Sequence, residues 1–222
     1  MTDVHFASFC AGAPVWSEVP ALKLRNRYLN TADDVNVWCQ ICCTDTALLI
    51  HQTMEVPTVR AEEKGSLGMP CEDSCMEFFL SPIPGDPRYI NIEFNVNKCM
   101  YLGMGTGLQD LLRIIPDQEE DIFSPVTVQN EKGWELFYQI PYTFIRCLFP
   151  GFDPSAGGEI RANFYACSDL TNPSYYLSWS PIVGEPFTFH RRECFGTMIL
   201  PKTAGESTAR MIDNFKKEMK EL

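Results

Sequence analysis

From residue 72 to residue 96 the chain reads EDSCMEFFLSPIPGDPRYINIEFNV, two alternating runs joined by a Pro/Gly-rich connection. Met76, Phe78 and Leu80 alternate with Cys75, Glu77 and Phe79; Ile90, Ile92, Phe94 and Val96 alternate with Tyr89, Asn91, Glu93 and Asn95. A two-residue period sends one set to each face of a sheet, so the spacing predicts paired strands with one wholly apolar face. The opposite face lacks the Lys/Glu/Thr mixture of an ordinary solvated surface and carries Glu, Asn and Tyr beside Phe79. Short planar hydrogen-bonding groups next to aromatic rings suit a neutral polyol, which presents an apolar C–H face and a rim of hydroxyls.

The same alternation recurs along the chain. Leu22 and Leu24 against Lys23 and Arg25 predict an edge strand, and residues 31–34 a polar turn. Residues 35–43 and 46–55 form a predicted hairpin about Thr44-Asp45, with Val35, Val37, Cys39, Ile41 and Cys43 on one face. Residues 57–70 read as a loop. YLGMGTG at 101–107 follows a strand instead of opening a βαβ unit, so it is no dinucleotide fingerprint. Residues 108–115 read as a short helix ended by Pro116, and 117–121 as a solvated acidic loop. Further strands are predicted at 134–140, 160–167, 175–182 and 194–200, with one or two helical turns at 142–148. Many short strands with turn signals between them and few helices predict an all-β chain. Its expected architecture is a two-sheet antiparallel β-sandwich, jelly-roll-like, with short helical insertions. In the last stretch Ala209, Ile212, Phe215, Met219 and Leu222 recur at helical spacing, so 203–222 is expected as an amphipathic helical appendage, open to a protein partner.

Composition narrows the partners. The 222 residues, 45% hydrophobic and without a low-complexity run, fit a single domain over 1–222. A formal net charge of -11 opposes binding to nucleic acid or anionic membrane, both of which require cationic surfaces. The first residues, MTDVHFASFCAGAPVW, lack the basic start and unbroken apolar core of a secretory signal, and no apolar run reaches membrane-spanning length. A cytoplasmic location is therefore expected, with the ten cysteines reduced.

Other chemistries have thinner support. Cys39 and Cys42 have zinc-like spacing but opposite parity on a strand. Asp33, Asp34, Glu72 and Asp73 are candidate ligands of a structural calcium, since hard cations take carboxylate oxygens at loops; no other cofactor is expected. His190 precedes Arg191-Arg192-Glu193, but nothing in the sequence places a thiol beside it, and a structural histidine is the plainer reading. Glu77 and Glu93 could pose as a glycosidase pair, which a shallow sheet face disfavours. Trp38 and Trp134 read as core or flank residues.

Taken in order, EDSCMEFFLSP, YINIEFN, GWELFYQIPYTF, EIRANFYAC, YLSWSPI and FHRRECFG resemble the family-9-like carbohydrate-binding domains, from about Pro20 to Leu200. The resemblance implies a sandwich that holds sugar, without transforming it, on one concave face. Aromatic rings would cover the sugar, planar polar groups would bond its hydroxyls, and a structural calcium would accompany them. Glu77 falls where the family places an acidic ligand group, and Phe189 where a stacking tryptophan often stands. Asn163 and Tyr165 fall on the strand that supplies an amide. Cys71 stands where the second stacking tryptophan would be, so the two-sided clamp lacks one wall. The expected ligand face is thus Glu77, Phe79, Asn91, Glu93 and Arg161, with Asn163, Tyr165, Trp179, Phe189 and His190. Arg161 is expected to pair with Glu77 or Glu93. The alternatives are a sandwich whose sugar site has decayed into a protein-interaction or scaffold role, and a glycoside-processing enzyme.

Overall fold

The computed structural model describes residues 3–117, 122–154 and 157–201. In chain order the strands are β1 (Val4–Phe6), β2 (Ser8–Phe9), β3 (Leu22–Lys23), β4 (Asn26–Tyr28), β5 (Asn36–Cys43), β6 (Ala47–Glu55), β7 (Cys75–Ser81) and β8 (Tyr89–Asn95). There follow β9 (Met100–Gly105), β10 (Leu112–Ile114), β11 (Val126–Asn130), β12 (Gly133–Pro141), helix α1 (Tyr142–Leu148), β13 (Gly158–Ser168), β14 (Tyr175–Ser178) and β15 (Gly196–Leu200).

One sheet runs β1-β15-β13-β7-β8-β9-β10, with β14 sharing an edge of β13 and β4 paired to β14. The other runs β11-β12-β6-β5-β2, with β3 also on β5. Between them lies the core. Met76, Phe78 and Leu80 of β7 and Ile90, Ile92 and Phe94 of β8 face Val37 and Ile41 of β5, Leu48 and Ile50 of β6, and Trp134 and Leu136 of β12. All of these are 1% exposed or less. The parity read from the sequence therefore orients both central strands as expected, because a strand with one apolar face can lie only one way on a core.

Several expectations change. The sheets are mixed, not antiparallel throughout, since β1 runs parallel to β15 and β2 parallel to β5. The N-terminal strands and β11 were not foreseen: Val4–Phe6 and Ser8–Phe9 are too short to show a period, and Val126–Asn130 is mostly exposed. Residues 108–115 are not a helix. Asp110 accepts hydrogen bonds from the backbone of Thr106 and Gly107 at 3.0 and 2.8 Å, which tightens a 3-10 turn, and the chain then pairs with β9 as β10. Nor are all ten cysteines reduced. Register places Ser8 opposite Cys42, and Cys10 and Cys42 form a disulfide, while the other eight cysteines are not in disulfides. The C-terminal helical appendage lies outside the described residues. Among those residues no helix is long and apolar enough to cross a membrane.

Candidate functional site

The outer face of the larger sheet is built by β8, β7 and β13. Registration aligns Tyr101, Glu93, Glu77 and Tyr165 in one row across four strands, and Gly103, Asn91, Phe79 and Asn163 in the next. Glu77 and Glu93 thus face each other directly, only 2% and 6% exposed. Each carboxyl has one hydrogen bond among the described residues: the Cys167 thiol donates to Glu77 Oε1 at 3.0 Å, and the Asn91 amide donates to Glu93 Oε1 at 2.7 Å. Among the described residues neither carboxyl has a cation within 4.0 Å. Burial first, and the facing Glu93 second, push the Glu77 carboxyl well above the carboxylate range. Burial raises Glu93 to about 7, against the opposing pull of the Asn91 hydrogen bond and of Arg113. Two like charges in a dry row cannot both be cheaply ionised, so the pair retains a proton near neutrality.

The surroundings of that row follow from small local choices. Asn91 reaches Glu93 because position 103 is glycine: a Cβ there would lie 2.2 Å from Asn91 Oδ1. Arg113 lies with its Cζ 4.6 Å over the Tyr101 ring, while its guanidinium donates to the carbonyls of Ser66 and Gly68 at 2.9 and 2.6 Å. It shades the Glu93 end of the row without forming an ion pair. At the rim, Tyr101, Tyr176 and Phe187 remain half-buried.

Beyond the carboxyl row the face is an aromatic cluster roofed by residues 187–195. Phe79 is fully buried, with the rings of Tyr165, His190 and Tyr89 centred 4.9, 5.0 and 5.8 Å away. Phe189 stacks on Tyr165 at 4.3 Å and 12°, and the Tyr165 hydroxyl donates to the Phe189 carbonyl at 3.0 Å. His190 shares a 2.7 Å hydrogen bond with the Tyr89 hydroxyl, and burial holds its imidazole down to about 4, so the ring is neutral.

The candidate residues therefore divide. Glu77, Glu93, Asn91, Phe79 and Tyr165 share one face, as the parity predicts, and the loop residues Phe189 and His190 pack onto it. Asn163 shares that face but is occupied with structure, donating to Ser180 O at 3.0 Å and accepting from Ser180 N at 2.9 Å. Arg161 does not pair with Glu77 or Glu93. It sits opposite Ser81, about 13 Å along the sheet from the Glu77 row, and binds the carbonyls of Phe195 and Gly196 instead. Trp179 belongs to the inter-sheet core, packed on Gly196 and edge-on to His5.

The carboxylates expected at a calcium form no convergent set among the described residues. Asp73 is fully buried; Arg60 pairs with its Oδ1, while the backbone of Glu62 and Glu63 and the Asn95 amide donate to its Oδ2 at 2.9, 2.8 and 2.7 Å. Asp33 and Asp34 are exposed and Glu72 half-buried. A cleft of about 530 Å³ opens elsewhere, lined by Asp34, Arg60, Glu62, Asn172 and Tyr175. Residues that the sequence reading passed over are Cys75 and Cys167, aligned beside the glutamate row, and Tyr101, Arg113 and Gly103 at its end. Parity alone places Cys75 on the Glu77 face and Cys167 on the Tyr165 face, so their side was legible and their adjacency was not.

With the geometry in place, comparison with known proteins adds the lineage. Residues 28–200 match the model of carbohydrate-binding family 9. The chain belongs to this family. Among curated proteins none matches the chain significantly. Among solved structures it is similar to a protein of Bacteroides uniformis ATCC 8492 proposed to bind carbohydrate, with 25% identity and a TM-score of 0.75, over 90% of this chain and 100% of that one. It is also similar in fold to a family 9 module from Caldicellulosiruptor kristjanssonii, solved with glucose and with cellotriose. Both comparisons give 14% identity and a TM-score of 0.65 over 93% of this chain, covering 100% and 97% of the respective partner. Family 9 is a family of non-catalytic binding modules, and membership supports carbohydrate binding by this chain.

Proposed function

We propose that this chain binds a neutral carbohydrate at the Glu77–Glu93 row without transforming it, the sugar entering from the rim formed by Tyr101, Tyr176 and Phe187. One observation carries the reading: two carboxyls face each other on adjacent strands with no cation in ion-pair reach among the described residues. Such a pair opposes folding, whereas a structural role would be served better by an apolar pair or by a matched cation. One protonated and one ionised carboxyl can donate to and accept from neighbouring sugar hydroxyls. A hydrogen bond to the charged partner contributes roughly 1.5–3 kcal/mol, against about 1 for neutral pairs. The half-buried rings at the rim offer flat apolar surface for the C–H face. Family membership and the glucose and cellotriose complexes of the related module favour the same ligand class.

Calorimetry with glucose and cellotriose tests this directly. The wild type should bind, and Glu77→Gln and Glu93→Gln should each weaken binding about tenfold or more, by loss of a charge-assisted bond. No heat at millimolar sugar, confirmed on a glycan array, would refute it. Hydrolysis assays on aryl-glycosides should stay flat.

A specific observation favours a second reading, a protein-interaction or scaffold domain with a disused sugar face. Phe189 spends its ring on Tyr165, Phe79 is fully buried and Asn163 is committed to Ser180, so the aromatic part of the face is filled from within. A stoichiometric protein partner in a pull-down, together with no sugar binding, would decide for it.

A further inference from the structure

Beside the glutamate row lie two thiols that the sugar reading does not use, and they converge on Glu77, which it does. Cys75 and Cys167 are directly opposite each other on β7 and β13. Their thiols and a Glu77 carboxylate oxygen all lie within 4.8 Å of one another, and all three residues are buried. It is the one such convergence of three His, Cys, Asp or Glu ligand atoms among the described residues. We propose that Cys75, Cys167 and Glu77 form a binding site for a thiophilic divalent cation, of which Zn²⁺ is the natural test.

The donor set argues for this metal class. Two sulfurs and one carboxylate oxygen suit a borderline-soft ion that accepts tetrahedral N, S and O ligands, and they suit calcium or magnesium poorly. Three protein ligands leave a fourth position. The Cys167 thiol also lies 3.7 Å from the Cys71 carbonyl, and a water would fill the position that the three side chains leave open. Binding would displace both thiol protons and any proton on Glu77 to solvent, and no cation lies within 4.0 Å of Glu77 among the described residues to compete with the metal. Register fixes the geometry. Cα pairing across β7 and β13 brings together side chains 92 residues apart in sequence, on strands held rigid by the core beneath them.

The site goes beyond the sugar reading, and thiol substitutions test it separately. The full chain, handled anaerobically and passed through gel filtration with Zn²⁺, should retain one equivalent of metal, and Co²⁺ should produce a thiolate-to-metal charge-transfer band. Cys75→Ser and Cys167→Ser should abolish both signals, Glu77→Gln should weaken retention about tenfold or more, and Cys147→Ser, at an exposed thiol away from the cluster, should change nothing. Should the serine variants fail to fold, X-ray absorption at the zinc edge of the metal-loaded wild type gives the answer: two sulfur ligands should appear around the metal. Absence of stoichiometric metal, retention undiminished in the folded Cys75→Ser/Cys167→Ser double variant, or a zinc shell without sulfur would overturn the proposal. Loss of sugar binding with metal uptake intact would sink only the sugar reading.

Discussion

Glu77 and Glu93 stand directly opposite each other on adjacent antiparallel strands, both almost fully buried, each carboxyl with a single hydrogen-bond partner and neither with an ion pair among the described residues. Like charges directly opposite in a sheet oppose pairing. The row is held by what surrounds it: an apolar core below and an aromatic cluster at its side.

This sets a pH dependence. Glu93 titrates at about 7 in the folded chain against an ordinary value of 4.5, so its folded form binds protons more tightly than the unfolded chain. Its contribution is fully present below pH 4.5 and is lost as pH rises through 7. Glu93→Gln keeps the acceptor for Asn91 and removes the titration. Urea melts should show no difference between variant and wild type below pH 4.5, and the variant more stable by up to about 3 kcal/mol at pH 8.

Two histidines work in the opposite direction. His5 and His190 are each lowered by burial from 6.5 to about 4, so between these values the unfolded chain takes up protons that the folded one refuses. Their contribution is present above pH 6.5 and lost as pH falls toward 4. Among the described residues His5 Nε2 has no hydrogen-bond partner, so His5→Phe should remove part of this acid-side loss, seen as a shallower fall in melting temperature between pH 6.5 and pH 4 than in the wild type.

Trp179 and Gly196 are coupled by close approach: a Cβ on Gly196 would lie 2.5 Å from the indole. Gly196→Ala should cost about 1–3 kcal/mol by overpacking, and Trp179→Ala about 3–5 kcal/mol by cavity formation. Sugar affinity of the folded fraction should stay unchanged for both, because the indole lies in the inter-sheet core. A drop in affinity for folded Trp179→Ala would contradict that placement.

The Cys10–Cys42 bond closes a sequence separation of 32 residues. Cross-linking at that distance restricts the unfolded chain by about 3–4 kcal/mol. Cys10→Ser/Cys42→Ser should lower the denaturation midpoint accordingly while leaving sugar binding intact. An unchanged midpoint would show that β2 is held by its pairing to β5 alone.

Parity was legible from the chain, and register was not. The alternation through β7 and β8 fixed which side chains enter the core, since burial of one apolar face depends only on neighbours two residues apart. It placed Glu77, Phe79, Asn91 and Glu93 together on the other face, and the order of motifs pointed to the family. By itself the sequence thus determined the sandwich, the faces of its central strands and the ligand class it suggests. Tertiary structure alone decided that Glu77 meets Glu93 and Cys167, that Arg161 lies two rows away holding Phe195 and Gly196, and that Phe189 folds onto Tyr165. It also chose disulfide pairing for Cys10 and strand over helix for residues 112–114. These outcomes depend on how far one strand slides along another and where a loop lands. Both are set by the summed packing of segments distant in sequence, which no local pattern encodes.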